Sequence, residues 1–131
     1  MRRSRESRVM SDESKNTTKI LVGFIVAGII ALFVLQNYRI EQLKKRDAQR
    51  KSDLAKIQQT LSDYYIKNHH YPLSVELPPD PYKQLYYVYQ VSKDGKKYEL
   101  FARLENIKDP NMVGGLDAEC GAQCNYVVTN P

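Results

Sequence analysis

The sequence predicts an α+β protein: a long N-terminal helix, membrane-spanning in its first part and amphipathic in its second, packed on a small antiparallel sheet. Three observations carry this reading. ILVGFIVAGIIALFVL (residues 20–35) is an unbroken apolar block near the N-terminus. In the charged stretch that follows, apolar residues recur at steps of three and four, the period of one helical face. Beyond PLSVELPPDPY (residues 72–82), with four prolines in eleven residues, the period changes to two in runs rich in tyrosine and β-branched residues.

Residues 1–16 are rich in Arg, Ser, Glu and Lys and have almost nothing to bury, so they are expected to form a disordered basic tail on the cytoplasmic side. The apolar block alone spans about 24 Å as a helix, short of the ~30 Å hydrocarbon core. Thr17, Thr18 and Lys19 before it, and Gln36, Asn37 and Tyr38 after it, extend it to a transmembrane helix over residues 17–38. Lys19 can snorkel to the headgroups and Tyr38 suits the interface. A cleaved signal peptide is the competing reading. No small-x-small site follows, because LQNYRI (residues 35–40) leads straight into more helix, so a retained anchor is expected.

The net charge of +5 is unevenly spread. Residues 1–56 carry thirteen Lys/Arg against six Asp/Glu, and residues 57–131 carry seven against nine. A basic excess flanking an anchor points to anionic headgroups of the lipid bilayer. It does not point to nucleic acid, since the basic residues are not interleaved with aromatics and the outer part is negative. Six Lys/Arg precede the apolar block and six lie in residues 39–51, so charge asymmetry does not set the orientation.

Residues 39–71 are expected to continue the helix amphipathically. Leu54, Ile57, Leu61 and Tyr64 form one apolar stripe, which Ile40, Leu43 and Ala48 prolong more loosely. One helix from about Thr17 to Lys67 results, with Asn68 as its stop and Pro72 forbidding continuation. Residues 72–131 then form the sheet region. QLYYVYQ (residues 84–90) and KYELFARL (residues 97–104) flank VSKDGK (residues 91–96), where Asp94-Gly95 signals a hairpin. On the second strand Tyr98, Leu100, Ala102 and Leu104 share a face, opposite Glu99, Phe101 and Arg103. A sheet with one wet face is expected, closed by NYVVTN (residues 125–130) after a loop over residues 105–125.

Few residues offer chemistry. His69 and His70 in IKNHHYP (residues 66–72) are sequence neighbours, so they diverge by ~100° on a helix or face opposite ways on a strand. They read as polar helix-end residues. Cys120 and Cys124, in CGAQC (residues 120–124), are the only cysteines and fit a small disulfide loop outside a reducing compartment. Two free thiols or a metal site are the alternatives, and zinc would need two further ligands. Asp109, Asn111, Asp117 and Glu119 gather oxygen atoms in a glycine-containing loop, a candidate calcium site, although their spacing matches no EF-hand and a solvated acidic loop is the plainer reading. No catalytic pair, phosphate-binding glycine loop or histidine-containing zinc motif occurs in the sequence. The expectation is a protein without enzymatic activity, resident cofactor or small-molecule substrate.

The order of parts carries a resemblance. An apolar helix runs into RDAQRKSDLAKIQQTLSDYY (residues 46–65), ends in NHHYP (residues 68–72), and is followed by Asp80-Pro81-Tyr82 and a small antiparallel sheet. YELFARLEN (residues 98–106) and YVVTNP (residues 126–131) add to it. Over residues 20–131 the chain resembles type IV pilin-like proteins, and is most similar to the major pseudopilins of type II secretion systems. The resemblance implies a bacterial, single-pass cytoplasmic-membrane protein with an extracytoplasmic domain. It implies a structural subunit, with other pilin-like subunits as partners through helix packing and a C-terminal loop closed by a disulfide or calcium. At the front, KNTTK (residues 15–19) stands where that family carries its cleavage motif, with Lys19 in the place of a glutamate. This leads to an alternative: an unprocessed, membrane-anchored domain of the same fold that binds a partner or ligand outside the cytoplasm.

Overall fold

A computed structural model describes the backbone of residues 3–130 and the side chains of residues 16–130. One helix, α1, covers Arg3–Asn68. Its assignment begins within the segment expected to be a disordered tail, residues 1–16, of which only the Asn16 side chain is among the described ones. The chain divides into two compact units, Met1–Arg39 and Ile40–Pro131.

In the first unit every described residue is exposed, including the whole apolar block, with Phe24 at 73%. A helix satisfies its own backbone hydrogen bonds, so it can carry apolar side chains on all sides where the surroundings are themselves apolar. Among the described residues this is the one helix long and apolar enough to cross a membrane.

In the second unit, the helix from Ile40 to Asn68 buries Leu54, Ile57 and Leu61 of the predicted stripe, whereas Tyr64, Ile40 and Ala48 are exposed and Leu43 is half-buried. Leu54, Ile57 and Leu61 pack with Tyr71, Tyr87, Tyr98, Leu100 and Ala102 in one core. The helix stops because His69 adopts φ 57° and donates its backbone N–H to Tyr65 O at 2.8 Å, a left-handed C-terminal cap. The left-handed residue is thus His69, one position beyond the expected stop at Asn68. Lys96 Nζ donates to His69 O at 2.7 Å, adding a cation to the carbonyl end of the helix.

The sheet is antiparallel, in the order β1 (Val88–Val91), β2 (Tyr98–Ala102), β3 (Tyr126–Thr129). Val91 faces Tyr98 in the first pair, and Leu100 faces Val128 in the second. The hairpin forms where Asp94-Gly95 predicts it: Gly95 has φ 67°, and Ser92 N–H donates to Lys97 O at 2.9 Å. All three strands are shorter than their sequence runs. Residues 84–87 are not strand, because Leu85 N–H donates to Tyr82 O in a turn and Tyr86 N–H donates to Cys120 O across to the cysteine loop. β2 ends at Ala102 because the Asn125 side chain takes both backbone groups of Leu104, accepting from its N–H at 2.6 Å and donating to its carbonyl at 2.9 Å.

The faces of β2 are as predicted, but the outer face is only half wet. Phe101 packs with Cys120 and Cys124 in a second small core, flanked by Val88, Leu116, Ala118 and Val127. The cysteine loop covers one end of that face. Gln90, Glu99 and Thr129, aligned across the three strands, remain at the other end in an open depression of about 660 Å³.

Candidate functional site

The most organised cluster of side chains in the second unit lies where α1 meets the two long loops. Counting back from Leu54 by four and then three gives Arg50 and Asp47, so two charged residues occupy core positions of the helical stripe. Arg50 is 0% exposed, and Asp47 and Asp80 are also buried.

A buried guanidinium needs partners for its donors, and Arg50 finds them in three carboxylates. Its Nε and Nη2 donate to Asp80 at 2.7 and 2.8 Å, a bidentate pair. Its Nη1 donates to Asp47 Oδ1 and to Glu105 Oε2, both at 2.7 Å. Two of the carboxylates also fix backbone. Asp47 accepts from Glu105 N–H at 3.0 Å and Asn106 N–H at 2.8 Å, and Asp80 accepts from Tyr82 N–H at 2.7 Å. Two further cations complete the cluster. Arg46 grips Glu105 bidentately at 2.7 and 2.8 Å, and Lys51 Nζ reaches both oxygens of Asp109 at 2.7 Å. One turn further on, Asp53 accepts from the buried Tyr87 hydroxyl at 3.1 Å.

The electrostatics favour the charged forms of Arg50, Glu105 and Asp109. Burial pulls the Arg50 pKa down, but hydrogen bonds to Asp80, Glu105 and Asp47 outweigh that and raise it above the usual guanidinium range. Burial pushes the Glu105 carboxyl up, yet Arg46 and Arg50 hold it below its ordinary value. Lys51 holds Asp109 low. Among the described residues no buried side-chain polar atom lacks a hydrogen-bond partner. The cluster is a network of paired charges. It fastens two loops, residues 80–82 and 105–109, to one stretch of helix.

Of the candidate site residues taken from the sequence, only Asp109 and Asn111 lie at this cluster, through Lys51. His69 and His70 are both exposed at the helix end, and His70 rests edge-on to Tyr64 at 5.7 Å. Cys120 and Cys124 form the disulfide, with an S–S distance of 2.01 Å. The candidate calcium quartet divides. Asp109 and Asn111 both receive Lys51 Nζ, while Asp117 and Glu119 line a shallow depression with Gln123 in the cysteine loop. Among the described residues no three His, Cys, Asp or Glu side chains gather as a metal set.

Sequence reasoning assigned Arg46, Asp47, Arg50, Asp80 and Glu105 no site role. The available signal was positional: Asp47 and Arg50 fall where the apolar stripe should continue, as an acid and a cation three residues apart. No protein-family profile, curated protein or solved structure matches the chain.

Proposed function

We propose that this is a single-pass membrane protein built as a structural part: a pilin-like subunit or accessory of a type IV pilus or type II secretion pseudopilus. In this reading its N-terminus is cytoplasmic and its sheet domain extracytoplasmic. One observation carries it. A single helix is apolar and unpartnered over residues 20–35 and then becomes the platform on which a small sheet is packed. An exposed apolar helix of this kind is satisfied by lipid or by like helices from other subunits, the two partners this reading requires. The disulfide supports a domain outside the reducing cytoplasm. The charge cluster supports a load-resisting rather than a catalytic role, since it locks loops to the helix.

Lys19 in the front of the apolar segment favours the second reading, an unprocessed and permanently anchored domain that recognises a partner through its sheet and cysteine loop. Intact mass of the protein from its native membrane separates the two. Loss of the residues preceding the apolar block, together with an added methyl group, is the result expected for a filament subunit. A full-length mass overturns that route and leaves the anchored binding domain.

A further inference from the structure

The end of the second unit at which the chain enters it, around Ile40, has its charges sorted. β2 runs along α1 toward this end: Gln58 meets Tyr98 where the strand begins (3.3 Å), whereas Arg46 and Asp47 hold Glu105 and Asn106 beyond its close. The chain then turns, with Asp109 N–H donating to Asn106 O at 2.9 Å, and returns to Lys51. Ile107 and Lys108 are the tip of this turn, and Ile107 is 84% exposed. The proline-rich loop reaches the same end. Asp80 lies on Arg50, the Tyr82 ring lies 5.5 Å from the Arg46 guanidinium, and Lys83 is exposed beside it.

One turn nearer Ile40 stand Lys44 and Lys45, both exposed, with Glu41 on Lys44 at 3.1 Å. The other acids here, Asp47, Asp80, Glu105 and Asp109, are all turned onto Arg46, Arg50 or Lys51. Ile107 and Tyr82 are therefore exposed at this end, each next in sequence to an exposed lysine, Lys108 and Lys83, while Lys44 and Lys45 are exposed on the helix. The charge network thus fixes the loop that carries a bulky apolar side chain in the open, at an end where lysines are also exposed.

We infer that this end of the unit is a docking face for anionic phospholipid, with Ile107 and Tyr82 entering the interface and the four lysines meeting headgroups. Apolar and aromatic tips partition into that layer, and lysines near an anionic surface add to the attraction. Charge complementarity selects lipid as occupant, and the chain enters this end a few residues after the apolar block of residues 20–35. The inference rests on the membrane reading above. It adds that the sheet domain lies against the bilayer rather than swinging free of it.

The chain contains no tryptophan, so single substitutions report position by fluorescence. The full-length protein, one copy per lipid nanodisc, is measured with bromine-labelled acyl chains in phosphatidylglycerol and in phosphatidylcholine. Ile107→Trp is expected to be quenched in the anionic discs about twofold or more beyond the zwitterionic ones. Combined Lys44→Gln, Lys45→Gln and Lys108→Gln should remove that difference. Leu73→Trp, equally exposed but beyond the far end of α1, should stay unquenched, and Phe33→Trp in the apolar block should be quenched in both lipids. If Phe33→Trp is quenched while Ile107→Trp behaves like Leu73→Trp, the docking face is overturned and the anchor stands. If Phe33→Trp is not quenched, the membrane reading fails and takes the inference with it. Equal quenching of Ile107→Trp in both lipids overturns the choice of anionic headgroups. Shielding of Ile107→Trp from aqueous iodide without quenching by lipid shows a protein or second copy on this face, and overturns it too. Lys108→Trp repeats the measurement should the first variant fail to fold.

Discussion

Arg50 carries the largest single-residue consequence. Replacing it with methionine leaves Asp47 and Asp80 buried beside a lost cation, and removing one partner from a buried pair costs about 3–5 kcal/mol. Lys44→Ala removes an exposed ion pair and should cost less than ~0.5 kcal/mol. Urea denaturation of the full chain in detergent, followed by circular dichroism, should show the Arg50→Met midpoint far below the Lys44→Ala one. Two glycines allow a second comparison. A Cβ at Gly115 (φ 74°) meets open space, so Gly115→Ala should cost only left-handed strain, about 1 kcal/mol. A Cβ at Gly121 (φ 85°) lies 2.1 Å from the Gln84 carbonyl oxygen, so Gly121→Ala must also push the cysteine loop off the segment leading into β1. The same denaturation assay should rank Gly121→Ala well below Gly115→Ala, and equal midpoints would refute the close approach.

At the scale of elements, the unit is a sheet with a different cover on each face. The helix covers one side through Leu54, Ile57 and Leu61, and the cysteine loop covers half of the other through Cys120 and Cys124 against Phe101. Leu54→Ala should destabilise by about 2–5 kcal/mol, because a fully buried leucine leaves a cavity between helix and sheet. The disulfide closes only a short loop, with a sequence separation of 4, so its loss through Cys120→Ser with Cys124→Ser should cost about 2 kcal/mol on chain-entropy grounds. Hydrogen exchange should locate the damage. Amides of residues 84–86 and 118–124 should lose protection in the cysteine variant while β2 opposite the helix keeps its own. Loss of protection throughout would show that the loop supports the main core as well.

At the scale of the whole domain, the charge network and the buried tyrosines set how stability varies with pH. Glu105 and Asp109 have folded pKa values below their ordinary ones, 4.5 and 3.8. Their contribution is full above those values and is lost as pH falls through the lower folded ones. Burial raises the phenols of Tyr71, Tyr87 and Tyr89, the last to about 12. A raised phenol favours the folded state below its ordinary pKa of 10.0, and that contribution is lost as pH rises toward the folded value. Thermal melts across pH should therefore show a plateau through neutrality, an acid fall below about pH 4 and an alkaline fall above about pH 10. An acid limb unchanged in Arg50→Met would show that the cluster does not govern it.

The sequence by itself determined the local architecture, because its signals are local. The continuous apolar block, the Leu54, Ile57 and Leu61 part of a helical stripe expected to reach Tyr64, the Asp94-Gly95 hairpin and the alternating faces of β2 are each written within a few residues of one another. The close spacing of the two cysteines likewise pointed to their disulfide. Tertiary structure alone decided what long-range partners decide. Arg50 and Asp80 are thirty residues apart, and Arg46 and Glu105 fifty-nine. Nothing in the period of the helix states that Arg50, at a core position, will be met by carboxylates from two separate loops. The same holds for the outer face of the sheet, expected wet and found half covered, and for β1, shortened because Tyr86 bonds to Cys120 instead of a strand. A charged residue reads as solvent-facing until the chain brings it a counterion, and only the folded chain shows which charges have one.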